Sequence, residues 1–579
     1  MVLFASSISK AMEHGRLGKP EPADPDQLPQ RKRGWSLERL LFVIAIILFA
    51  AAGAAVLAAI VMRNGAVSYG HRRPTQAMSR VCGMTQYPTL CVNSLLDFPG
   101  AIAASDQDLV TISVNMTLQR VGSALNSVSE MSYLEMDSIV RSAHTDCLEL
   151  LDDSVDLLYQ SLSSTDGAST EDVLTWLSAA LTNQDTCGEG IQELKGHVKN
   201  RMSKRLENLW ELISNSLAIY SARTGGFSTI PIQNRRRRLL GDRFPAWISR
   251  KERMLLQIPA SQINADVIVS RDGNGTCKTI GEAIKLAPDN SKRRFIIYVR
   301  AGWYEEGTLK IGRKKTNIMV MGDGKGKTVI SGGKSVQDGI TTFRTASFAA
   351  SGAGFIARDL SFVNWAGPEK HQAVALRVSA DHAVVYRCSI EGYQDTLYAH
   401  SQRQFYRECN IYGTVDFIFG NAAAVFQKCN LFVRYSPTQI NTITAQSRSD
   451  PNQNTGIVVQ DCTVRPVNNL AVINTAVNDI TYLGRPWRPY ALTVFMETYL
   501  GSLINPAGWL AWGAGSSTSP LYYAEYLNNG PGSSTSKRIH WTGYHVITSP
   551  QVAAQFTPDS FFDAGEWIPA TGVPFQPGL

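Results

Sequence analysis

A short unit recurs four times in the second half of this chain: "YRCSI" at 386–390, "YRECNI" at 406–411, "FQKCNL" at 426–431 and "VQDCTV" at 459–464. The first three cysteines, Cys388, Cys409 and Cys429, stand 21 and 20 residues apart. A unit of that length cannot bury an apolar face alone, so the repeat calls for a solenoid in which each copy makes one coil and stacks on the last. The runs "RFIIYV" (294–299), "NIMVMG" (317–322), "TVISGG" (328–333) and "HAVVYRCSI" (382–390) are β-rich and alternate with Gly, Asn and Asp turns. A right-handed parallel β-helix is predicted, with equivalent residues of successive coils about 4.8 Å apart and the cysteines in one inward ladder.

The same interval separates two acids. Asp395, in "GYQDTLYAH" (392–400), precedes Asp416, in "GTVDFIFGN" (413–421), by 21 residues, which stacks them on neighbouring coils. Two carboxylates that close cannot both ionise cheaply, so one holds its proton at neutral pH while the other stays charged. That is a general acid beside a nucleophile or base. A structural polar ladder, or two exposed turn aspartates, would show the same spacing. Gln372, in "HQAVALRV" (371–378), lies 23 residues before Asp395, and Gln394 adjoins it; both are neutral amide donors suited to a developing oxyanion. Arg485, in "LGRPW" (483–487), is a fixed cation able to keep one acid ionised and oriented.

The first half of the 579 residues is different in kind. Leu40 to Met62 carries no charge and is long enough to cross a bilayer as a helix. Arg31, Lys32, Arg33 and Arg39 precede it, so residues 1–39 are expected in the cytosol and the rest beyond the membrane, with 40–62 as a signal anchor. In that oxidising compartment the nine cysteines divide as four, Cys82, Cys91, Cys147 and Cys187, and five, Cys277, Cys388, Cys409, Cys429 and Cys462. If bridges stay within domains, five leaves one unpaired; the disulfide candidates are the first four with Cys388, Cys409, Cys429 and Cys462. Asn115 and Asn274 stand in glycosylation sequons.

Residues 78–225 read as helices. Ile139, Ala143, Cys147, Leu151, Val155, Leu158 and Leu162 follow steps of three and four, as do Val173, Leu177 and Ala180, and then Met202, Leu206, Leu209 and Ile213. A disulfide-stapled helical bundle is the plain reading. Residues 226–261 form a basic linker, with "NRRRRLLGDR" (234–243) and "RKERMLL" (250–256), where processing by a protease is expected. Charge divides nearby: residues 1–240 hold 23 Lys+Arg against 24 Asp+Glu, and residues 241–579 hold 33 against 25, so the second half is the basic one. Such a surface suits a polyanion, and outside the cell nucleic acid is not expected.

Taken in order, "HQAVALRV", "GYQDTLYAH", "GTVDFIFGNAAAVFQ" (413–427), "LGRPW" and "GWLAW" (508–512) resemble the signature segments of plant pectin methylesterases, over residues 262–579. The helical segment resembles the inhibitor domain that precedes the catalytic domain in longer members of that family. The resemblance implies that Asp416 is the nucleophile toward a galacturonate methyl ester. It further implies that Asp395 protonates departing methanol and then activates water, and that Gln394 and Gln372 stabilise the oxyanion or bind substrate. Arg485 then orients the nucleophile, Trp487 is an aromatic sugar platform and Thr342 a substrate contact. The implied partners are methylesterified homogalacturonan, a processing protease and proteinaceous inhibitors, with no cofactor or metal. The implied course is a membrane-held proenzyme in the secretory pathway, then the cell wall. Cys277 and the stretch after Trp487 depart from the family pattern.

Other chemistries find less support. "GDGKGKT" (322–328) has three residues between its outer glycines where a phosphate loop has four, and no helical pattern follows. Neither G-x-S-x-G nor H-E-x-x-H occurs. A pectin-cutting hydrolase or lyase on the same fold, and a wall-binding or inhibitor protein without activity, are the alternatives.

Overall fold

The computed structural model describes residues 73–131, 136–163, 168–224, 264–467, 480–513 and 515–579. The tail 1–39, the apolar segment 40–62 and the linker 226–261 lie outside the described residues.

From residue 267 onward the chain builds three parallel sheets of eleven, eight and seven strands. Between Phe295 and Gly484 it visits them in rotation, so each of these seven coils gives one strand to each sheet, and every pairing is parallel. The period of about twenty is thus the length of one coil. Val385, Tyr406, Phe426 and Val459 face inward as one ladder, with the Tyr406 and Phe426 rings 4.5 Å apart. Arg387, Glu408, Lys428 and Asp461 hold left-handed φ values of 51–55° at the turn just before each cysteine. Bulky residues rarely adopt that backbone, and here stacking of successive turns fixes it. The "GDGKGKT" segment is a turn between strands Ile318–Met321 and Thr328–Gly332.

Cys388, Cys409, Cys429 and Cys462 form the expected buried ladder, but as free thiols, which corrects their reading as disulfide candidates. Equivalent rungs of a parallel sheet lie about 4.8 Å apart with parallel side chains, whereas a bridge needs Cβ atoms near 3.8 Å. The thiols turn to carbonyls instead: Cys409 Sγ donates to Val385 O at 3.3 Å. Cys277 is also free and half-buried.

Among the described residues seven α-helices precede the β-helix: α1 Gln76–Cys82, α2 Pro88–Leu96, α3 Asp106–Ser129, α4 Ser138–Ser163, α5 Thr170–Gln192, α6 Gly196–Arg205 and α7 Leu209–Thr224. The four long ones close a bundle, α3 and α5 each packing against α4 and α7. Cys82–Cys91 joins α1 to α2, and Cys147–Cys187 joins α4 to α5. Capping boxes at Ser105 and Ser169 start α3 and α5. The stripe from Met202 to Ile213 is split between α6 and α7 by Asn208, whose φ is 63°. Asn115 lies half-buried within α3, while Asn274 is exposed in a turn and donates to Asp272.

Candidate active site

The seven-stranded sheet carries the candidate site on its outer face. Its strands, in spatial order, are Leu309–Ile311, Phe348–Ala350, Leu376–Val378, Leu397–Ala399, Ile418–Gly420, Ile440–Gln446 and Ile480–Gly484. Alternation puts Leu397 and Ile418 into the core and turns Tyr398 and Phe419 outward, stacked at 4.2 Å. Asp395 and Asp416 each stand two residues before a strand of this sheet, at equivalent turns with φ values of 61° and 50°. The apolar run after Asp416 therefore leads into the strand Ile418–Gly420, with Phe417 and Ile418 inside, and the acid is set at its mouth, 4% exposed.

Asp416 is gripped from two sides. Arg485 Nη2 donates to Oδ2 at 2.6 Å, and its Nε lies 2.9 Å from Oδ1 and 3.1 Å from Oδ2. Thr442 Oγ1 donates to Oδ1 at 2.6 Å and accepts the Asp416 N–H at 2.8 Å. Arg485 itself lies 4.3 Å over the Trp512 ring. Burial pulls its guanidinium down, yet the hydrogen bonds and charge of Asp416 hold it above its ordinary value. Asp395 is pushed well above the ordinary carboxylate range, first by burial and then by the charge of Asp416, against the pull of Arg485. The neutral form of Asp395 is thus favoured where Asp416 has a cation.

A cavity of about 480 Å³ gathers all seven predicted residues: Thr342, Gln372, Gln394, Asp395, Asp416, Arg485 and Trp487. The side-chain amides of Gln372 and Gln394 make no hydrogen bond among the described residues, which leaves both open to the cavity. Sequence reasoning missed Tyr398, Phe419 and Thr442. The period-2 pattern held a signal for the two aromatics, three residues after each acid. Trp512 was within a quoted motif without a role. Thr442 had no local signal, since its strand follows Asp416 by a full coil.

The remaining wall was also missed. Helices α4 and α5 roof the cavity with Asp146, Thr186, Glu189 and Glu193. Glu189 pairs with Arg488, Asp146 with Arg344 and Thr341, and Thr186 Oγ1 meets His400 Nε2 at 2.9 Å. Further along, Arg313 meets Asp152, Asp153 and Asp156, and Arg403 meets Asp172 at 2.7 Å. Phe343, Val374, Tyr398, Phe419 and Ala445 share one apolar cluster with the bundle. Burial raises Asp146, Asp153 and Asp185 to about 6 and Glu189 to about 7, in each case against the pull of a nearby arginine.

Comparison with known proteins agrees with this division. The family described as Pectinesterase matches residues 266–565, and the family described as Plant invertase/pectin methylesterase inhibitor matches residues 76–219. The chain is similar to the probable pectinesterase/pectinesterase inhibitors 34 and 61 of Arabidopsis thaliana. It is 55% identical to the first, over 93% of this chain and 92% of that protein, and 49% identical to the second, over 98% and 100%. Among solved structures it is similar to pectin methylesterase from carrot, at 50% identity and a TM-score of 0.54, covering 55% of this chain and 99% of that one. The carrot chain is thus about as long as the β-helical part by itself.

Proposed function

Because the chain belongs to the pectinesterase family of carboxylic ester hydrolases, we propose that it removes methyl groups from galacturonate units of homogalacturonan through Asp416 as nucleophile and Asp395 as acid and base. The carrying observation is the unequal treatment of two stacked acids: Asp416 bound by Arg485 and Thr442, Asp395 buried and biased toward its protonated form. Asp416 attacks the ester carbonyl, and the oxyanion takes hydrogen bonds from the amides of Gln394 and Gln372. As the C–O bond breaks, Asp395 gives its proton to methanol. The resulting Asp395 carboxylate draws a proton from water, whose oxygen attacks the acyl–Asp416 bond and releases the free uronate. Trp487 supports the sugar, and Thr342 lines its path.

In the same reading the helical bundle is an inhibitory pro-domain acting within the chain, because its α4 and α5 roof the cavity. A protease cutting within 226–261 opens the cleft, after delivery through the secretory pathway on the 40–62 anchor to the cell wall. Asn274, exposed in its turn, is the better placed glycan acceptor. Proteinaceous inhibitors would dock where the bundle does.

The test is methanol release from highly methylesterified pectin by the full-length protein, before and after cutting within 225–263. Methanol without shortening of the polymer, appearing after the cut, is expected. New chain ends would favour a hydrolase or lyase, and equal activity before the cut would remove the inhibitory role.

A further inference from the structure

The helical bundle is acidic except in one place. Residues 73–224 hold 10 Lys+Arg against 19 Asp+Glu, yet five of those cations fall within 195–205, a run with no acid. Five of the bundle's acids, Asp146, Glu149, Asp153, Asp172 and Glu189, each pair with a cation of the β-helix. Its own cations gather elsewhere, on and just before α6.

This helix packs on α3 and α5 through the buried Met202 and the half-buried Val198. His197, Arg201 and Lys204, spaced by four and three, fall on one stripe clear of that apolar edge. Lys195, His197 and Lys204 are exposed, and Lys199 and Arg201 half-buried. Lys199 Nζ donates to Gln192 O at 2.8 Å, and Arg205 Nε donates to Ser127 Oγ at 2.8 Å. Among the described residues no carboxylate pairs with any of these cations.

Helix electrostatics alone does not account for the arrangement. Lys204 and Arg205, in the last turn, suit the negative end of the helix dipole, but Lys195 is the N-cap residue, at the positive end. Lys195 and Lys199, and likewise Arg201 and Arg205, stand four residues apart, where like charges destabilise a helix. A polyanion reverses that sign. No large apolar side chain is exposed on α6, so it lacks the edge with which an interfacial helix enters a lipid surface.

We propose that α6, through Lys195, Lys199, Arg201 and Lys204, is a docking surface for the free carboxylates of de-esterified homogalacturonan. The identity of the polymer rests on the methylesterase reading. Lys195 to Lys204 covers about 14 Å at about 1.5 Å per residue, the reach of about three uronate units, and both partners are linear rows of charge. Gln192 and Glu193, which line the cavity, come directly before this helix, so the docking surface begins where the roof of the cleft ends. The uncut protein is thereby held on the product polymer while its own cleft is closed.

The test is binding of the full-length uncut protein to immobilised polygalacturonate over a salt series. The variant Lys195→Gln/Lys199→Gln/Arg201→Gln/Lys204→Gln keeps good helix formers. Its control, Arg73→Gln/Arg80→Gln/Arg120→Gln/Arg223→Gln, removes the same charge from exposed positions elsewhere on the bundle. The dissociation constant of the α6 variant should rise about tenfold at low salt and its salt dependence should flatten, while the control stays within about twofold of the parent. Fully methylesterified pectin should not compete. An unchanged constant, or equal losses in both variants, would overturn the docking surface. So would phosphatidylserine vesicles that distinguish parent from α6 variant where polygalacturonate does not. Methanol release by the cut protein is measured separately, and its absence would overturn the methylesterase reading instead.

Discussion

Asp395 and Asp416 occupy equivalent turns of successive coils, yet the Arg485 guanidinium hydrogen-bonds Asp416 and not Asp395. Replacing Asp416 by Asn should lower methanol release on the order of 10³-fold or more, with the circular dichroism spectrum unchanged. Asp395 should announce itself by pH. Its folded value is raised, so the proton it would give to methanol in the proposed mechanism is lost as pH climbs through that value, and kcat should fall on the alkaline side. The same sign governs stability. The folded protein holds this proton more tightly than the unfolded chain, so stability is lost as pH rises, and Asp395→Asn should melt above the parent at pH 8.

Thr442 shares the Asp416 carboxylate with Arg485, and in the proposed mechanism it holds that carboxylate in place without touching substrate. Thr442→Val removes a 2.6 Å hydrogen bond to the carboxylate. A bond to a charged group of that kind is worth about 1.5–3 kcal/mol, so kcat should drop about tenfold or more with KM nearly constant. Thr442→Ser should recover most of the rate. A shift confined to KM would mean that Thr442 acts on substrate binding.

Glu189 and Arg488 join the roof of the cavity to its floor. Glu189→Arg in the uncut full-length protein should place two cations together and raise its methanol release about tenfold. No change in the uncut activity would remove this pair from the closure.

Closure should tighten in acid. Asp146, Asp153, Asp185 and Glu189 are raised by burial to about 6 or 7 where the bundle meets the β-helix. Docking therefore takes up protons between the ordinary carboxylate range and about pH 7, and weakens as pH rises through that window. Glu149 and Asp172 are lowered, so their contribution fails only below the ordinary carboxylate range. Size-exclusion chromatography of the cut protein should show the two parts together at pH 5 and separating at pH 8. Release at pH 5 in place of pH 8 would reverse the assignment.

Alkylation should count the thiols. In the native protein without reductant only Cys277, half-buried, should react quickly; after unfolding five thiols should label. Fewer than five would mean that a bridge forms within the cysteine ladder.

The amino-acid order by itself determined the solenoid, the stacking of Asp395 on Asp416 and the split between helical and basic β-rich halves. Each of these is a periodicity, and a period is local information that survives without coordinates. The cysteine spacing likewise predicted the ladder, but not that parallel rungs hold the sulfurs apart. Only the tertiary structure decided that Thr442 joins Arg485 on the Asp416 carboxylate, with the Arg485 guanidinium over the Trp512 ring, since these residues come from different coils or from the loop after Ile480–Gly484. It alone turned the acidic faces of α4 and α5 onto the cleft cations. Those contacts join residues some two hundred positions apart, and what brings them together is the burial of one apolar cluster shared by the bundle and the sheet.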